Sequence, residues 1–175
     1  MLDWLASIDP PVAASRWSAW WFLPFAVPIS VYVAWTDLKA MRIPNKSVLL
    51  LFGCFLGAGL VALPLPEYGW RLVQALAVLA IGFFLNQFGG VGAGDVKFAA
   101  AASPLVATAD GKLIMILFAS VLLAAFATHR GFRALPFARR VTPEWQSWTR
   151  HDFPMGLALG GALIFYLILV AVYGV

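Results

Sequence analysis

Asp37 and Asp95 are the residues of this chain best suited to do chemistry. Each sits where a long apolar run meets a turn. Asp37 heads the basic stretch Asp37-Leu38-Lys39-Ala40-Met41-Arg42-Ile43-Pro44-Asn45, and Asp95 closes the glycine-rich stretch Gly89-Gly90-Val91-Gly92-Ala93-Gly94-Asp95. A carboxylate at the edge of a bilayer costs free energy and marks a functional site by default. Two carboxyls brought together in a low-dielectric setting do not both ionise readily: one keeps its proton while the other acts as base. Such a pair suits hydrolysis. The base draws a proton from a shared water as it attacks a peptide carbonyl, and the acid protonates the developing oxyanion.

The elements that must carry the pair follow from composition. The chain has 175 residues, 62% of them hydrophobic and 11% charged, with a mean hydropathy of +0.87. Soluble globular chains carry roughly 25% charged residues, so a soluble globular domain is excluded. The expected fold is all-α, a polytopic transmembrane helix bundle forming a single domain over residues 1–175. Uninterrupted apolar runs predict six spans at 17–36, 47–63, 71–88, 95–108, 112–128 and 154–174. The fourth is short and contains Ser103-Pro104; fusing it with the fifth would leave five. Trp17, Trp20, Trp21 and Trp35 flank the first run like an interfacial aromatic belt, and Pro24 and Pro28 within it are tolerated in membrane helices. The stretch before Arg16 begins with the acids Asp3 and Asp9, unlike the basic start of a cleaved signal peptide, so the first run is expected to be a retained span.

Basic residues orient the bundle. With six spans one side receives Lys39, Arg42, Lys46, Lys97, Arg130, Arg133, Arg139, Arg140 and Arg150, and the other only Arg16, Arg71 and Lys112. Nine against three in short loops is a positive-inside signal. It predicts both termini outside and both aspartates at the cytoplasmic face, although they lie 58 positions apart in sequence. The acids split evenly, with Asp3, Asp9, Glu67 and Asp110 outside and Asp37, Asp95, Glu144 and Asp152 inside. Orientation explains the basic residues without nucleic acid as a partner.

Other features have local explanations. Asp95 opens a helix, where the macrodipole favours a charged carboxylate, and Asp37 follows the last turn of one, where it favours protonation; this suggests Asp95 as base and Asp37 as acid. Gly89, Gly90, Gly92 and Gly94 would supply unusual backbone angles and allow close approach of an extended substrate. Pro44 and Asn45 are expected to start the second helix, proline in its first turn and asparagine as its cap. Gly53-x-x-x-Gly57 and Gly156-x-x-x-Gly160 fit helix packing inside the bundle, or between copies in a homo-oligomer. Asn86 and Gln87 close the third span beside the glycine turn. The connection from His129 to Asp152 mixes arginines with Phe132, Leu135, Phe137, Trp145 and Trp148, a composition suited to lying along lipid headgroups. Cys54, the lone cysteine, reads as a small buried hydrophobe. With two histidines, His129 and His151, no metal site is expected, nor any cofactor.

The phrases Asp37-Leu38-Lys39 and Ile43-Pro44-Asn45, followed by Gly90-Val91-Gly92-Ala93-Gly94-Asp95-Val96-Lys97, resemble the type IV prepilin peptidases, most closely their short form associated with tight-adherence (Flp-type) pili. The resemblance covers roughly residues 30–105 at motif level, and Pro154-Met155-Gly156 is similar to the family's late proline–glycine turn. It implies a bacterial inner-membrane aspartyl protease of the G-x-G-D class that removes the basic leader of prepilins and pseudopilins at the cytoplasmic face. The family's catalytic aspartates fall on Asp37 and Asp95, its glycines on Gly92 and Gly94, and its following lysine on Lys97. Long forms carry a further segment with paired C-x-x-C motifs and methylate the new amino terminus; this chain lacks those motifs, so the resemblance implies peptidase activity without methyl transfer.

Four other readings bear on the same residues. Presenilin-type G-x-G-D proteases pair the motif with Tyr-Asp, whereas Thr36 precedes Asp37 here. Archaeal preflagellin peptidases share both aspartates and the six-span plan. A small proton-coupled transporter would use the same carboxyls, usually near the midplane, and a noncatalytic membrane subunit would leave them unexplained.

Overall fold

The computed structural model describes residues 12–150 and 152–175; Asp3, Asp9 and His151 lie outside the described residues. Ser15 starts the first helix by accepting the Ser18 N–H at 3.2 Å. Helix α1 (Arg16–Ala40) then runs through both of its prolines and stops at Met41, whose backbone is left-handed at φ 50°. Six helices follow: α2 (Asn45–Ala62), α3 (Leu65–Gln87), α4 (Ala93–Ala102), α5 (Gly111–Ala134), α6 (Pro136–Val141) and α7 (Met155–Tyr173). Short 3₁₀ turns cover Ser103–Leu105, Thr108–Asp110 and Gln146–Trp148. Among the described residues there is no strand.

The all-helical bundle expected from composition is present, with one change in its fourth pass. Five helical segments are long and apolar enough to cross a membrane: α1, α2, α3, Thr108–Ala134 and α7. At ten residues α4 reaches only about 15 Å, half of a hydrocarbon core. Proline 104 cannot extend a regular helix, and the chain continues through the two 3₁₀ turns. Their exposed carbonyls are served by α3: the Gln74 side chain donates to Ser103 at 2.7 Å and to Val106 at 3.2 Å, and Arg71 donates to the Pro104 carbonyl at 3.2 Å. Irregular backbone at membrane depth is tolerated where protein satisfies it. Five of the six expected spans are thus helices of membrane-crossing length, and the fourth is a ten-residue helix continued by 3₁₀ turns.

The two ends are well defined. At one, the Arg16 backbone N–H donates to the Val175 carbonyl at 3.1 Å and its side chain to Gly174 at 2.7 Å. The start of α1 and the end of α7 therefore lie together there. At the other, Asp37 meets the start of α7. Between them α1 and α7 share the most extensive interface in the molecule. A Cβ on Gly160 would stand 2.9 Å from the Ser30 carbonyl oxygen, so glycine is what permits that approach. Gly53 and Gly57, of the same spacing, meet nothing within 4 Å and face away from the bundle, against the expectation that they pack inside it.

The core runs through Phe22 and Val33 of α1, Phe55 of α2, Phe98 of α4, and Tyr166 and Leu167 of α7. The arginine-rich connection is less of a surface strap than its composition suggests. Helix α5 continues six residues beyond the predicted 128, so His129 is helical and buried. Its ring stacks on Trp148 at 5.2 Å, Lys39 pairs with Glu144 at 3.3 Å, and the Gln146–Trp148 turn packs against α1. Phe132, Leu135 and Phe137 remain exposed, as expected of a headgroup-level segment.

Candidate active site

Asp37 lies inside the last turn of α1, one residue set earlier than a position following the helix, and its side chain is buried. Its Oδ2 accepts the backbone N–H of Gly156 at 2.7 Å. Gly156 is the second residue of α7, and the α7 cap, Pro154, offers no side-chain hydrogen bond. A carboxylate from α1 thus satisfies an open N–H of α7 and faces the positive end of its dipole. A Cβ on residue 156 would fall 3.0 Å from both Cβ and Oδ2 of Asp37. The absent side chain makes the contact possible.

Asp95 is the third residue of α4, after the cap residue Gly92, and is half-buried. Its carboxyl folds back over Gly92. A Cβ on Gly92 would lie 2.6 Å from Asp95 Oδ2. The glycines of this turn therefore serve different ends. Gly89 alone has a positive φ, 74°. Gly92 makes room for the Asp95 carboxyl. A Cβ on Gly94 would sit 3.3 Å from the Ile43 side chain, so its absence seats the first turn of α4 on the corner that follows α1.

That seating joins the two motifs. Ile43 is buried under the α4 turn, Lys97 donates to Asn45 Oδ1 at 3.3 Å, and Asp37 and Asp95 are close enough for their charges to repel. Pro44, not Asn45, is the cap of α2. Asn45 is the first helical residue, and its side chain makes no capping bond; it is held by Lys97 instead. Asn86 closes the glycine turn by donating to the Val91 carbonyl at 2.7 Å. The proposed inequality of the aspartates loses its basis, because each carboxyl now lies at a helix N-terminus, Asp37 at that of α7 and Asp95 at that of α4. Among the described residues no cluster of three or more His, Cys, Asp or Glu side chains is arranged for a metal.

A buried carboxyl anchored by a main-chain N–H and a second, more open carboxyl within electrostatic range of it are the groups that a shared-proton pair acting on water requires. A model of the type IV leader peptidase family matches residues 22–128. The chain belongs to this family. It is therefore a peptidase, and its apolar helices make it a membrane protein. No curated protein and no solved structure matches the chain. The matched stretch contains both aspartates and the glycine turn, while α7 with Gly156 lies beyond it.

Gly156 is the site residue that sequence reasoning placed without its role. Its spacing to Gly160 reads as helix packing, and Gly160 does pack on α1, but nothing local indicates that the Gly156 N–H meets a carboxylate 119 positions away.

Proposed function

We propose that this family member is a membrane-embedded aspartic endopeptidase that removes the basic leader of Flp-type prepilins and pseudopilins at the cytoplasmic membrane face. Asp37 and Asp95 share one proton and activate a single water. The ionised member takes a proton from the water as it attacks the scissile carbonyl. The protonated member donates to the developing oxyanion, giving a gem-diol. The newly protonated carboxyl then gives its proton to the leaving nitrogen while the other takes one back from a gem-diol hydroxyl, and the C–N bond breaks. With a helix N-terminus behind each carboxyl, the macroscopic titration belongs to the pair and not to either residue.

The observation that carries this reading is the seating of Gly94 on Ile43, which brings the carboxyls of two distant motifs within electrostatic range. The excess of lysine and arginine at the aspartate end supports a cytoplasmic orientation. Peptidase activity without methyl transfer is supported by the short connections at that end, residues 41–44 and 88–92.

The test uses purified protein in lipid with a precursor carrying a basic leader and an apolar segment, and a radiolabelled methyl donor. Cleavage is expected, insensitive to chelators, with no label transferred to the product. Asp37→Ala and Asp95→Ala are each expected to abolish it. Normal cleavage by either variant would overturn the assignment, and a flux of protons or solute dependent on the same aspartates would point to a transporter.

A further inference from the structure

Helices α2 and α3 are joined by only Leu63 and Pro64, a connection that ordinarily makes antiparallel helices pack along their length. Here they touch near the connection and then part. A Cβ on Gly59 would meet the Tyr68 ring at 3.0 Å, Phe55 stacks on that ring at 5.1 Å, and the Tyr68 hydroxyl donates to the Leu56 carbonyl at 3.3 Å. Toward the aspartate end the hairpin opens into a trough of about 660 Å³ between Val48 and Phe52 of α2 and Leu76 and Leu79 of α3, floored by Ala100 and Ala101 of α4.

A second hollow of about 610 Å³ continues along α3 and α4 to Asn86 and Ala93, beside the turn that carries Asp95. Leu76, Leu79 and Lys97 line both. From Leu72 to Asn86 the trough follows fifteen residues of α3, about 21 Å from first to last. Its lining is apolar except for Asn45, Asn86 and Lys97, and all three lie at the aspartate end. The polarity therefore has a direction: hydrocarbon-like for most of its length and polar only beside Asp95. That profile complements a peptide that is an apolar helix in the bilayer and becomes polar where it reaches the carboxyls. The alanine floor leaves the depth such a helix needs, and the outer wall is open to lipid, since Leu76 and Leu79 are well exposed.

We propose that this trough docks the apolar helical segment of the leader-bearing substrate, which enters sideways from the bilayer and presents the adjoining peptide bond to Asp37 and Asp95. The proposal rests on the peptidase reading above and adds where the substrate's membrane segment lies.

Filling the trough tests it. A Leu76→Trp/Leu79→Trp double variant is expected to cleave the membrane-anchored precursor at least about tenfold less efficiently, because remote binding energy is lost. The same variant should cleave a short soluble peptide spanning the same bond, without the apolar segment, at the wild-type rate, which also shows that it is folded. Leu123→Trp, on the outward face of α5, should change neither. Wild-type cleavage of the anchored precursor by the double variant overturns the proposal. Failure of the wild-type protein to cleave any precursor would instead strike the peptidase reading itself.

A photoreactive phenylalanine analogue at residue 79 gives an independent measurement. Capture of the precursor or its apolar product there, and not from residue 123, supports the trough. Capture of phospholipid alone, or of a second copy of this chain, overturns it.

Discussion

Each end of the bundle holds a buried aspartate, and the two are finished in opposite ways. Asp110 accepts the N–H groups of Ala13 and Ala14 at 2.7 and 3.2 Å and the Tyr166 hydroxyl at 2.7 Å, while that hydroxyl accepts the Ala107 N–H at 3.0 Å. Its charge is spread over three donors, and the arrangement ties the Thr108–Asp110 turn to the entry of α1 and to Tyr166 of α7. Asp37 has a single donor to its carboxylate among the described residues, Gly156, and a second carboxylate, Asp95, within electrostatic range. Burial does not separate them, at 1% and 6% exposed. Saturation does. A carboxylate with every oxygen engaged stabilises the fold and has nothing left for a substrate; one held by a single N–H against a like charge keeps capacity for a proton and a water.

The largest effect expected from this contrast is on turnover. Asp37→Ala or Asp95→Ala should lower cleavage by about 10³-fold or more while the protein stays folded. Asp110→Ala should retain wild-type turnover per folded molecule. Loss of turnover in folded Asp110→Ala would break the comparison, and cleavage assays normalised to folded protein by size-exclusion chromatography decide it.

Next in size is the cost of Asp110 to the fold. Removing its carboxylate leaves the Tyr166 hydroxyl and two backbone N–H groups without their partner, a loss on the order of 3 kcal/mol, to be read as a lowered midpoint in denaturant unfolding. A midpoint unchanged from wild type would mean that water replaces the carboxylate.

Gly156→Ala sharpens the comparison from the other side. A methyl group 3.0 Å from Asp37 Oδ2 must displace that carboxyl or the start of α7, and a displacement near 1 Å costs up to about 10²-fold in rate. The fall is expected in kcat with KM nearly unchanged, and with a small change in unfolding midpoint. A rise in KM alone would assign Gly156 to substrate binding. Smallest of all, Gly53→Leu and Gly57→Leu on the outward face of α2 should leave stability within about 0.5 kcal/mol and cleavage unaltered. A loss of activity there, accompanied by a change in oligomeric state, would show that copies pack through this face.

Much of this molecule was legible beforehand because its strongest signals are local. Apolar runs locate α1, α2, α3, α5 and α7, with ends off by up to six residues at the start of α3 and the end of α5, since a bilayer demands length and hydropathy of each span separately. Asp37 and Asp95 stood out because a charge is conspicuous in such a chain. The fourth run was harder: its helix stops after ten residues, and Gln74 and Arg71 serve the carbonyls of Ser103, Pro104 and Val106, a service no local pattern announces. Asp110 read as one more loop acid, because its three donors come from the beginning and the end of the chain. The sequence reads the glycines of the Asp95 turn as giving backbone freedom and room for an approaching substrate, yet the space at Gly92 and Gly94 is taken by Asp95 and Ile43, neighbours visible only in three dimensions.

The sequence by itself determined that this is a helical membrane protein, singled out the carboxylates at positions 37 and 95, and carries over residues 22–128 the pattern of the type IV leader peptidase family. Hydropathy, charge bias and motif spacing are properties of the chain read in order. The tertiary structure decided what those carboxylates touch. It set the α7 N-terminus behind Asp37, seated Gly94 on Ile43 so that the two motifs meet, and left α2 and α3 apart beside them. Each of these depends on which helix packs against which, a contest of whole surfaces in which residues far apart in sequence take part together.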